Sequence, residues 1–252
     1  MVKNGVVVAS RVLANREDVD KRLSEQYGQD FSGKRLLIAI GRPVKRKGFS
    51  WFISQVLPLL EPEVMLLLIG PVQENRSRST RLIQRLPAFL REKVELFLGY
   101  PSDETALCSL LKQGNPKFIR TGKLPLSEMN QLLAVADAFI MPNIYVPGDM
   151  EGFGLVCLEA CMQGARVFAA ASGGITDAIV DQGNGTLIPS GDEKSWAAAL
   201  NASLTSKEPW PLSAEQIINF TADNFSWRKM SEEYFQHFSR LNNQAIDLAS
   251  RN

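Results

Sequence analysis

The chain has 252 residues, of which 45% are hydrophobic and 22% are charged, a mixture typical of an ordinary globular protein. Its 28 basic and 27 acidic residues leave a net charge of +1, which argues against nucleic acid as a partner. Three cysteines and one histidine, His237, cannot supply a closed disulfide framework or a multi-histidine zinc site.

Long apolar stretches are missing from the sequence. No run reaches the roughly 18 uninterrupted apolar residues of a membrane-spanning helix, and the first residues lack the apolar core of a signal peptide. The low, odd number of cysteines suits a reducing compartment. Together these features predict a cytoplasmic protein.

In chain order, residues 1–33 form a polar leading segment with one short predicted helix. An alternation of short apolar runs and helical patterns follows. The runs are apolar at successive positions, as in strands that helices cover on both faces. The predicted strands are Arg35–Gly41, Val64–Gly70, Val94–Gly99, Lys117–Thr121, Ala138–Pro142, Arg166–Ala170 and Gly185–Ile188.

Helical patterns lie between these strands, and Asp192 stands where an N-cap would begin the last of them. Two closing helices are predicted after residue 206, at Ser213–Asn224 and Trp227–Leu241. The other predicted helices are Phe49–Leu60, Arg78–Glu92, Asp103–Gln113, Leu126–Ala136, Phe153–Gln163, Ile175–Asp181 and Glu193–Leu204.

This alternation predicts an α/β fold, a single domain with a mostly parallel sheet and helices on both faces. We divide the chain into a leading segment of residues 1–33, a sheet-bearing part of residues 34–205 and closing helices at residues 206–252.

The loop after the first strand, residues 41–48, is basic. It reads GRPVKRKG and contains Arg42, Lys45, Arg46 and Lys47. Because open parallel sheets bind ligands at the carboxyl ends of their strands, this loop suits an anionic ligand such as a diphosphate. A solvated basic turn is the alternative.

A second candidate segment, residues 142–160, follows the Ala138–Pro142 strand. Gly152 and Gly154 precede a helix, whose N-terminal amides favour anions. Glu151 lies just before this helix and Glu159 lies on it, with seven residues between them. A buried Glu159 would need a partner, either a diol or a structural ion pair, and Glu151 is either a ligand contact or a solvated loop charge.

These segments, with GGITDAI and NGTLI further on, resemble the C-terminal, Rossmann-like domain of the GT-B glycosyltransferases, most closely the retaining family 4, also called group 1. The resemblance runs from about Arg35 to Trp227. It implies transfer of a hexosyl group from a nucleoside-diphosphate sugar to an acceptor hydroxyl, with that sugar nucleotide as donor substrate and neither a cofactor nor a metal.

The resemblance also implies roles for single residues. Arg42 and Lys47, beside Gly41, would hold the diphosphate and stabilise the leaving group. Glu151 would hold hydroxyls of the donor sugar. Glu159 would bind the ribose, and Leu124 would contact the base. The backbone of Gly152, Phe153 and Gly154 would lie beside the sugar, and Leu155 would lie against the phosphates.

Two departures from the family pattern matter. Asn143 stands where the family usually has serine after the strand's proline. Far larger, we expect the N-terminal Rossmann domain, which carries the acceptor site in the family, to be missing from these residues, and Val12–Gly28 resembles the connection between the domains. We therefore expect this chain to be the donor-binding half of an enzyme. It would be inactive without an acceptor half, which lies in the same or a separate chain. That acceptor half could also reach a peripheral membrane acceptor.

Other motifs and functions carry less weight. Asp18 and Asp20 spell Asp-x-Asp but lie in a polar stretch typical of a solvated helix face. Cys157 and Cys161 are typical of buried apolar positions. A regulatory subunit that binds a nucleotide sugar without catalysis stays open as an alternative. A nicotinamide-dependent oxidoreductase is disfavoured, because the glycine fingerprint is incomplete and no phosphate-binding P-loop motif occurs.

Overall fold

The computed structural model describes residues 2–8, 10–72, 86, 87, 90, 94, 103–205 and 211–249. Within them lies one six-stranded sheet in the order β3-β2-β1-β4-β5-β6, with every neighbouring pair parallel. The strands are β1 (Arg35–Ile40), β2 (Val64–Ile69), β3 (Phe118–Gly122), β4 (Ala138–Met141), β5 (Val167–Ala170) and β6 (Gly185–Ile188). The predicted α/β fold with a parallel sheet is confirmed.

Three strands, β1, β2 and β4, end one residue before the predicted bound, because the glycine or proline predicted to end each of them already belongs to the loop. The strand β3 lies one residue later than predicted, and β5 begins one residue later. The pairing of β1 with β2 is regular, with Arg35 to Ile40 opposite Val64 to Ile69, whereas the pairing of β2 with β3 shifts register between Leu68 and Ile69. The predicted strand Val94–Gly99 and most of the predicted helix Arg78–Glu92 lie outside the described residues.

Helices cover both faces of this sheet. They are α1 (Arg16–Tyr27), α2 (Phe49–Trp51), α3 (Glu104–Lys112), α4 (Leu126–Val135), α5 (Leu155–Met162), α6 (Ile175–Ala178), α7 (Glu193–Thr205), α8 (Ala214–Phe225) and α9 (Trp227–Ala249). As predicted, Asp192 accepts hydrogen bonds from the amides of Lys194 and Ser195 at the start of α7.

Alternate side chains of each strand enter two separate cores. Leu36 and Ile38 pack under α1, α4, α5 and α8, whereas Leu37 and Ala39 pack under α2 and α7. Removal of both strand faces from water supplies the main driving force for this fold.

Three helices differ from their predicted form. After α2 the chain continues as a π turn, Phe52–Val56, and a 3-10 turn, Leu57–Leu59. Pro58 has no amide hydrogen and cannot extend an α-helix. The predicted Ile175–Asp181 helix ends at Ala178, and the predicted Trp227–Leu241 helix continues to Ala249.

The leading and closing segments contact the sheet-bearing part. Val19 and Leu23 of α1 are buried in the core. The amide of Val6 donates to the carbonyl of Phe225, where α8 meets α9. In the part of the chain that the structure describes, no helix is long and apolar enough to cross a bilayer.

Candidate functional site

The strand order places a topological switch point between β1 and β4, since the chain runs from β1 to one side of the sheet and from β4 to the other. Open parallel sheets bind ligands in the crevice formed there by the carboxyl ends of the strands. The basic loop after β1 and the glycine-rich loop after β4 both begin at this crevice.

These two loops are locked together through their backbones. The amide of Ile144 donates to the carbonyl of Arg46 at 2.9 Å. Gly48 adopts a left-handed φ of +65°, and a Cβ atom there would collide with the carbonyl oxygen of Pro142. Only glycine combines that backbone conformation with so close a contact. The side chains of both loops are therefore held in a fixed relation.

Glu151 is the centre of the resulting cluster. Its Oε2 atom accepts from Lys47 Nζ at 2.8 Å, from Arg46 Nε at 3.3 Å and from Asn143 Nδ2 at 3.3 Å. The Glu151 side chain is only 14% exposed, so the alternative of a solvated loop charge is wrong.

Burial alone would raise the Glu151 pKa. The hydrogen bond and charge of Lys47, with the Arg46 charge and the Asn143 amide, outweigh that effect and lower the Glu151 pKa below its ordinary value. The carboxylate is therefore ionised at neutral pH. Among the described residues, no donor reaches its second oxygen, Oε1.

Three members of the cluster had no site role predicted for them. Arg46 was only one of four cations in its loop, yet it bridges Glu151 and Asp149, with Nη1 of Arg46 2.9 Å from Oδ1 of Asp149. Asn143 is 1% exposed and donates to Glu151. The only sequence signal for Asp149 was its place two residues before Glu151.

The residues after Glu151 form a close-packed turn into α5. The amide of Gly174 donates to the carbonyl of Glu151 at 3.0 Å. Gly152 is exposed, Phe153 packs edge-on against Phe225, and Gly154 is the N-cap of α5 with φ at +82°.

Leu155 and Glu159, one helical turn apart on α5, are exposed, whereas their neighbours Cys157, Leu158 and Ala160 are buried. Neighbouring atoms nevertheless shield the Glu159 carboxylate partly from water, and this partial burial raises its pKa. Among the described residues, no hydrogen-bond or ion-pair partner of Glu159 is found, so a structural ion pair does not explain this carboxylate.

The pKa of the buried Cys157 thiol responds to the charged side chains around it. Burial raises its pKa, with Cys161 adding to the rise, and the charges of Lys47, Glu151 and Glu159 also act on it. The buried thiol therefore stays protonated at neutral pH.

The remaining predicted site residues lie at the same edge of the sheet without joining this cluster. The amide of Gly41 donates to the carbonyl of Ile69. Arg42 is exposed and makes no ion pair with a described residue. Leu124 follows β3 and packs partly buried on the core.

The remaining motifs of the sequence lie away from this cluster or are buried in the core. Asp18 is exposed, and Asp20 pairs with Arg16 one turn away. Cys157 and Cys161 are fully buried, and His237 is exposed on α9. Among the described residues, no three His, Cys, Asp or Glu side chains cluster as metal ligands would.

The comparison with protein families shows to which family the chain belongs. Residues 20–222 match the family model of the glycosyl transferases group 1. The chain belongs to this family. The predicted resemblance to group 1 glycosyltransferases is therefore confirmed for the family as a whole.

Among its relatives is a D-inositol 3-phosphate glycosyltransferase of Geodermatophilus obscurus, 28% identical over 240 residues, which are 89% of this chain and 51% of the relative. A glycogen synthase of Marinobacter nauticus is 25% identical over 235 residues, covering 90% of this chain and 42% of that protein. This group 1 chain thus spans about half the length of these curated relatives.

Solved structures show the same fold. Anabaena HepE in complex with UDP superposes with a TM-score of 0.63 at 18% identity, over 90% of this chain and 54% of HepE. A sucrose-phosphate synthase from Thermosynechococcus elongatus gives a TM-score of 0.63 at 20% identity, over 96% of this chain and 52% of the synthase. The single α/β domain therefore has the Rossmann-like fold of GT-B glycosyltransferase structures.

Proposed function

We propose that this group 1 chain is the C-terminal, donor-binding half of a retaining, family 4 glycosyltransferase that moves a hexosyl group from a nucleoside-diphosphate sugar to an acceptor hydroxyl. The contact between Lys47 and Glu151 at the switch point carries the proposal. The contact supports the proposal because a cation that suits a diphosphate and a carboxylate that suits sugar hydroxyls lie within one hydrogen bond of each other.

In this proposal the cations hold the diphosphate. Lys47 is 8% exposed and fixed by Glu151, so it acts as a positioned charge. Arg42 is exposed and makes no ion pair with a described residue, so its planar guanidinium can bind two phosphate oxygens at once. Gly41 lets the chain approach the phosphates, and the α5 amides that begin at Leu155 face the same anion.

The two glutamates, Glu151 and Glu159, have different roles in donor binding. Oε1 of Glu151 accepts a sugar hydroxyl while Oε2 stays with Lys47, Arg46 and Asn143. The backbone of Gly152, Phe153 and Gly154 lies beside the sugar. Glu159 accepts both ribose hydroxyls, and Leu124 lies against the base.

Catalysis then rests on position and charge. As the bond from sugar to diphosphate breaks, negative charge collects on the leaving phosphate. Arg42, Lys47 and the α5 N-terminus stabilise that charge, because they are already oriented before reaction. These cations take the part that a divalent metal plays elsewhere, and the proposal includes neither metal nor cofactor.

The acceptor site belongs to the other half of such enzymes, in the same or a separate polypeptide, and this half would also reach an acceptor at a membrane. We infer that this chain alone gives no appreciable transfer, because one wall of the reaction cleft is supplied elsewhere. If the completed pair still neither transfers nor hydrolyses the donor, a regulatory subunit that binds nucleotide sugar without catalysis replaces the enzyme.

Ligand-induced stabilisation tests the site. The chain is melted with UDP, GDP and ADP, each with and without a chelator. A bound nucleotide at about 100 times its dissociation constant adds roughly 2.7 kcal/mol to the free energy of unfolding. We expect one nucleoside diphosphate to stabilise the chain with the chelator present. Stabilisation that strictly requires magnesium or manganese contradicts the proposed cation role.

Glu159→Gln and Glu151→Gln then separate the roles of the two glutamates. The Glu159 variant weakens binding of the free nucleoside diphosphate, whereas the Glu151 variant spares it and weakens only the sugar nucleotide. Circular dichroism confirms that both variants fold. Equal losses of free nucleotide binding in the two variants contradict this division.

A further inference from the structure

A cavity of about 360 Å³ lies beside Glu151, between the loop after β4 and the chain that follows β5. Its side walls consist of the cluster already described together with exposed loop residues. Residues that line it include Arg46, Asn143, Tyr145, Asp149, Met150 and Ser172.

The charges around this cavity leave no free cation for an anionic group. Arg46 is the one basic residue among the described lining residues. Its guanidinium already pairs with Asp149 at 2.9 Å and with Glu151 at 3.3 Å, and its side chain is 18% exposed. Two carboxylates therefore contact this cation at the cavity wall, and one of them, Glu151, is also paired with Lys47. An added negative charge would meet both of them at short range.

Two wall residues carry buried oxygens that could accept a hydrogen bond. Oδ1 of Asn143 and Oδ2 of Asp149 have no hydrogen-bond donor among the described residues. A buried acceptor without a donor costs free energy, which a ligand hydroxyl can recover and a ligand carboxylate cannot. Both oxygens are covered, so we expect the Asp149 side chain to rotate as a hydroxyl binds.

The remaining wall is apolar and open. Tyr145 is 79% exposed and Met150 is 76% exposed, and both line the cavity. The C–H face of a sugar ring is apolar, so it can pack against such side chains while its hydroxyls face the acceptors. An uncharged, hydroxyl-bearing ring fits both parts of the wall.

We propose that this cavity receives the glycosyl unit of the donor and that the Arg46–Asp149 pair makes it selective for neutral, hydroxyl-rich hexosyl units over those that carry a carboxylate. This inference rests on the proposed function and adds the sugar class and two residues that determine it. Specificity here comes from repulsion of the wrong sugar as well as contact with the right one.

Titration calorimetry with UDP, UDP-glucose and UDP-glucuronic acid tests the inference, and GDP, GDP-mannose and GDP-mannuronic acid replace them if GDP is the nucleotide that binds. We expect the uronic acid donor to bind at least about tenfold more weakly than the neutral donor, because like charges placed together are costly. Affinities within about threefold, or a preference for the uronic acid, overturn the inference while leaving nucleotide binding intact. If no nucleotide binds, the proposed function itself fails.

Two variants of the Arg46–Asp149 pair should change the affinity ratio between the neutral donor and the uronic acid donor in opposite directions. Asp149→Asn removes one carboxylate and the ion pair at Nη1 of Arg46, which keeps its contact with Glu151 through Nε, so the tenfold gap narrows. Arg46→Gln removes the cation and widens the gap. Asp30→Asn, in an exposed turn before β1 at the opposite edge of the sheet, is the matched control and leaves the gap unchanged.

Binding of the plain nucleoside diphosphate in every variant reports whether the fold and the diphosphate site are intact. Shifts of the same sign in both pair variants, or no shift in either, overturn the role of the pair. Should Asp149→Asn fail to fold, the comparison of neutral and uronic acid donors on the unaltered chain and on Arg46→Gln still decides the question.

Discussion

Replacement of Lys47 by methionine separates the structural from the binding role of this lysine. Methionine keeps much of the buried aliphatic stem and removes only the ammonium group. Lys47 is 8% exposed and its Nζ lies 2.8 Å from Glu151. The change therefore deletes one buried, charge-assisted hydrogen bond and opens little space in the core.

The expected loss of stability follows from what Glu151 retains. A hydrogen bond to a charged group contributes about 1.5–3 kcal/mol. Arg46 and Asn143 remain on the same carboxylate oxygen, each at 3.3 Å, so the carboxylate is not left unpaired. We therefore expect Lys47→Met to lower the free energy of unfolding by about 2 kcal/mol. With a urea dependence of about 2–3 kcal/mol per molar, the midpoint falls by roughly 0.7–1 M.

The loss should depend on pH. In the folded chain the Glu151 pKa is lowered. A group with a lowered pKa stabilises the fold above its ordinary value of about 4.3 and loses that contribution as the pH falls through the folded value. The stability difference between the native chain and Lys47→Met is therefore constant near neutral pH and shrinks under acid conditions.

Urea unfolding monitored by circular dichroism gives the stability, and calorimetry with the nucleoside diphosphate gives the binding. Lys45→Met is the matched control, since Lys45 lies two residues earlier in the same loop but is exposed. If both variants lose the same stability within about 0.5 kcal/mol, the range of ordinary surface substitutions, the buried contact contributes nothing and the reasoning is refuted.

Two further predictions concern the loop contact and the thiols. Gly48→Ala should destabilise the chain more than Gly114→Ala in thermal unfolding. Both glycines have positive φ, which costs alanine roughly 1–2 kcal/mol, but only at Gly48 does a Cβ atom meet a backbone carbonyl; equal losses would show that this contact is unimportant. A thiol reagent should label Cys108 rapidly in the folded chain and reach Cys157 and Cys161 only after unfolding, because burial raises the pKa of both, that of Cys161 to about 12. Fast labelling of more than one thiol in the folded chain contradicts the structure.

The sheet could be predicted from sequence because its signals are local. Runs such as Leu36–Ile40 are apolar at every position, and glycine or proline ends most of them. The end of α6 has a different origin. Asn184, fully buried, accepts from the amide of Val180 and donates to the carbonyl of Ala178. That pair of bonds replaces the next helical turn, and no spacing in the sequence indicates it.

The candidate site, like the fold, could be predicted only in part from the sequence. The two loops could be predicted as ligand-binding candidates because parallel strands bring the loops that follow them to one edge of the sheet. Within these loops, the family resemblance singled out Lys47 and Glu151. The Arg46–Asp149 pair was not predicted, since the two residues are 103 positions apart and meet only through the way the loops lock at Gly48 and Pro142. Such a pair depends on the exact path of two loops, which composition and periodicity do not specify.

Asp103 holds the basic loop in place through hydrogen bonds to both of its ends. Asp103 is 5% exposed and lies just before α3. Its carboxylate accepts from the amide of Ser50 at 2.8 Å and from the Ser50 hydroxyl, and so caps the start of α2. Its own amide donates to the carbonyl of Pro43 at 2.8 Å. This one residue thus ties α3 to both ends of the loop that carries Lys47.

Burial raises the Asp103 pKa, although the hydrogen bonds from Ser50 and the charge of Lys45 oppose the shift. For an acid with a raised pKa, the favourable contribution is present at low pH and is lost as the pH rises from about 3.9 through the folded value. Asp103→Asn keeps an oxygen for the Ser50 amide and carries no charge. We therefore expect it to match or exceed the native chain in stability at neutral pH, with the advantage growing as the pH rises above about 4.

Asp103→Ala, by contrast, loses the cap and should cost about 1–2 kcal/mol at every pH. It should also weaken nucleoside diphosphate binding, because the basic loop loses its anchor, whereas the asparagine variant binds normally. Unfolding curves from pH 4 to 8, paired with calorimetry at neutral pH, separate the two variants. If asparagine destabilises the chain as much as alanine does, the charge of Asp103 and not its hydrogen bonds holds the loop, and this explanation of the anchor fails.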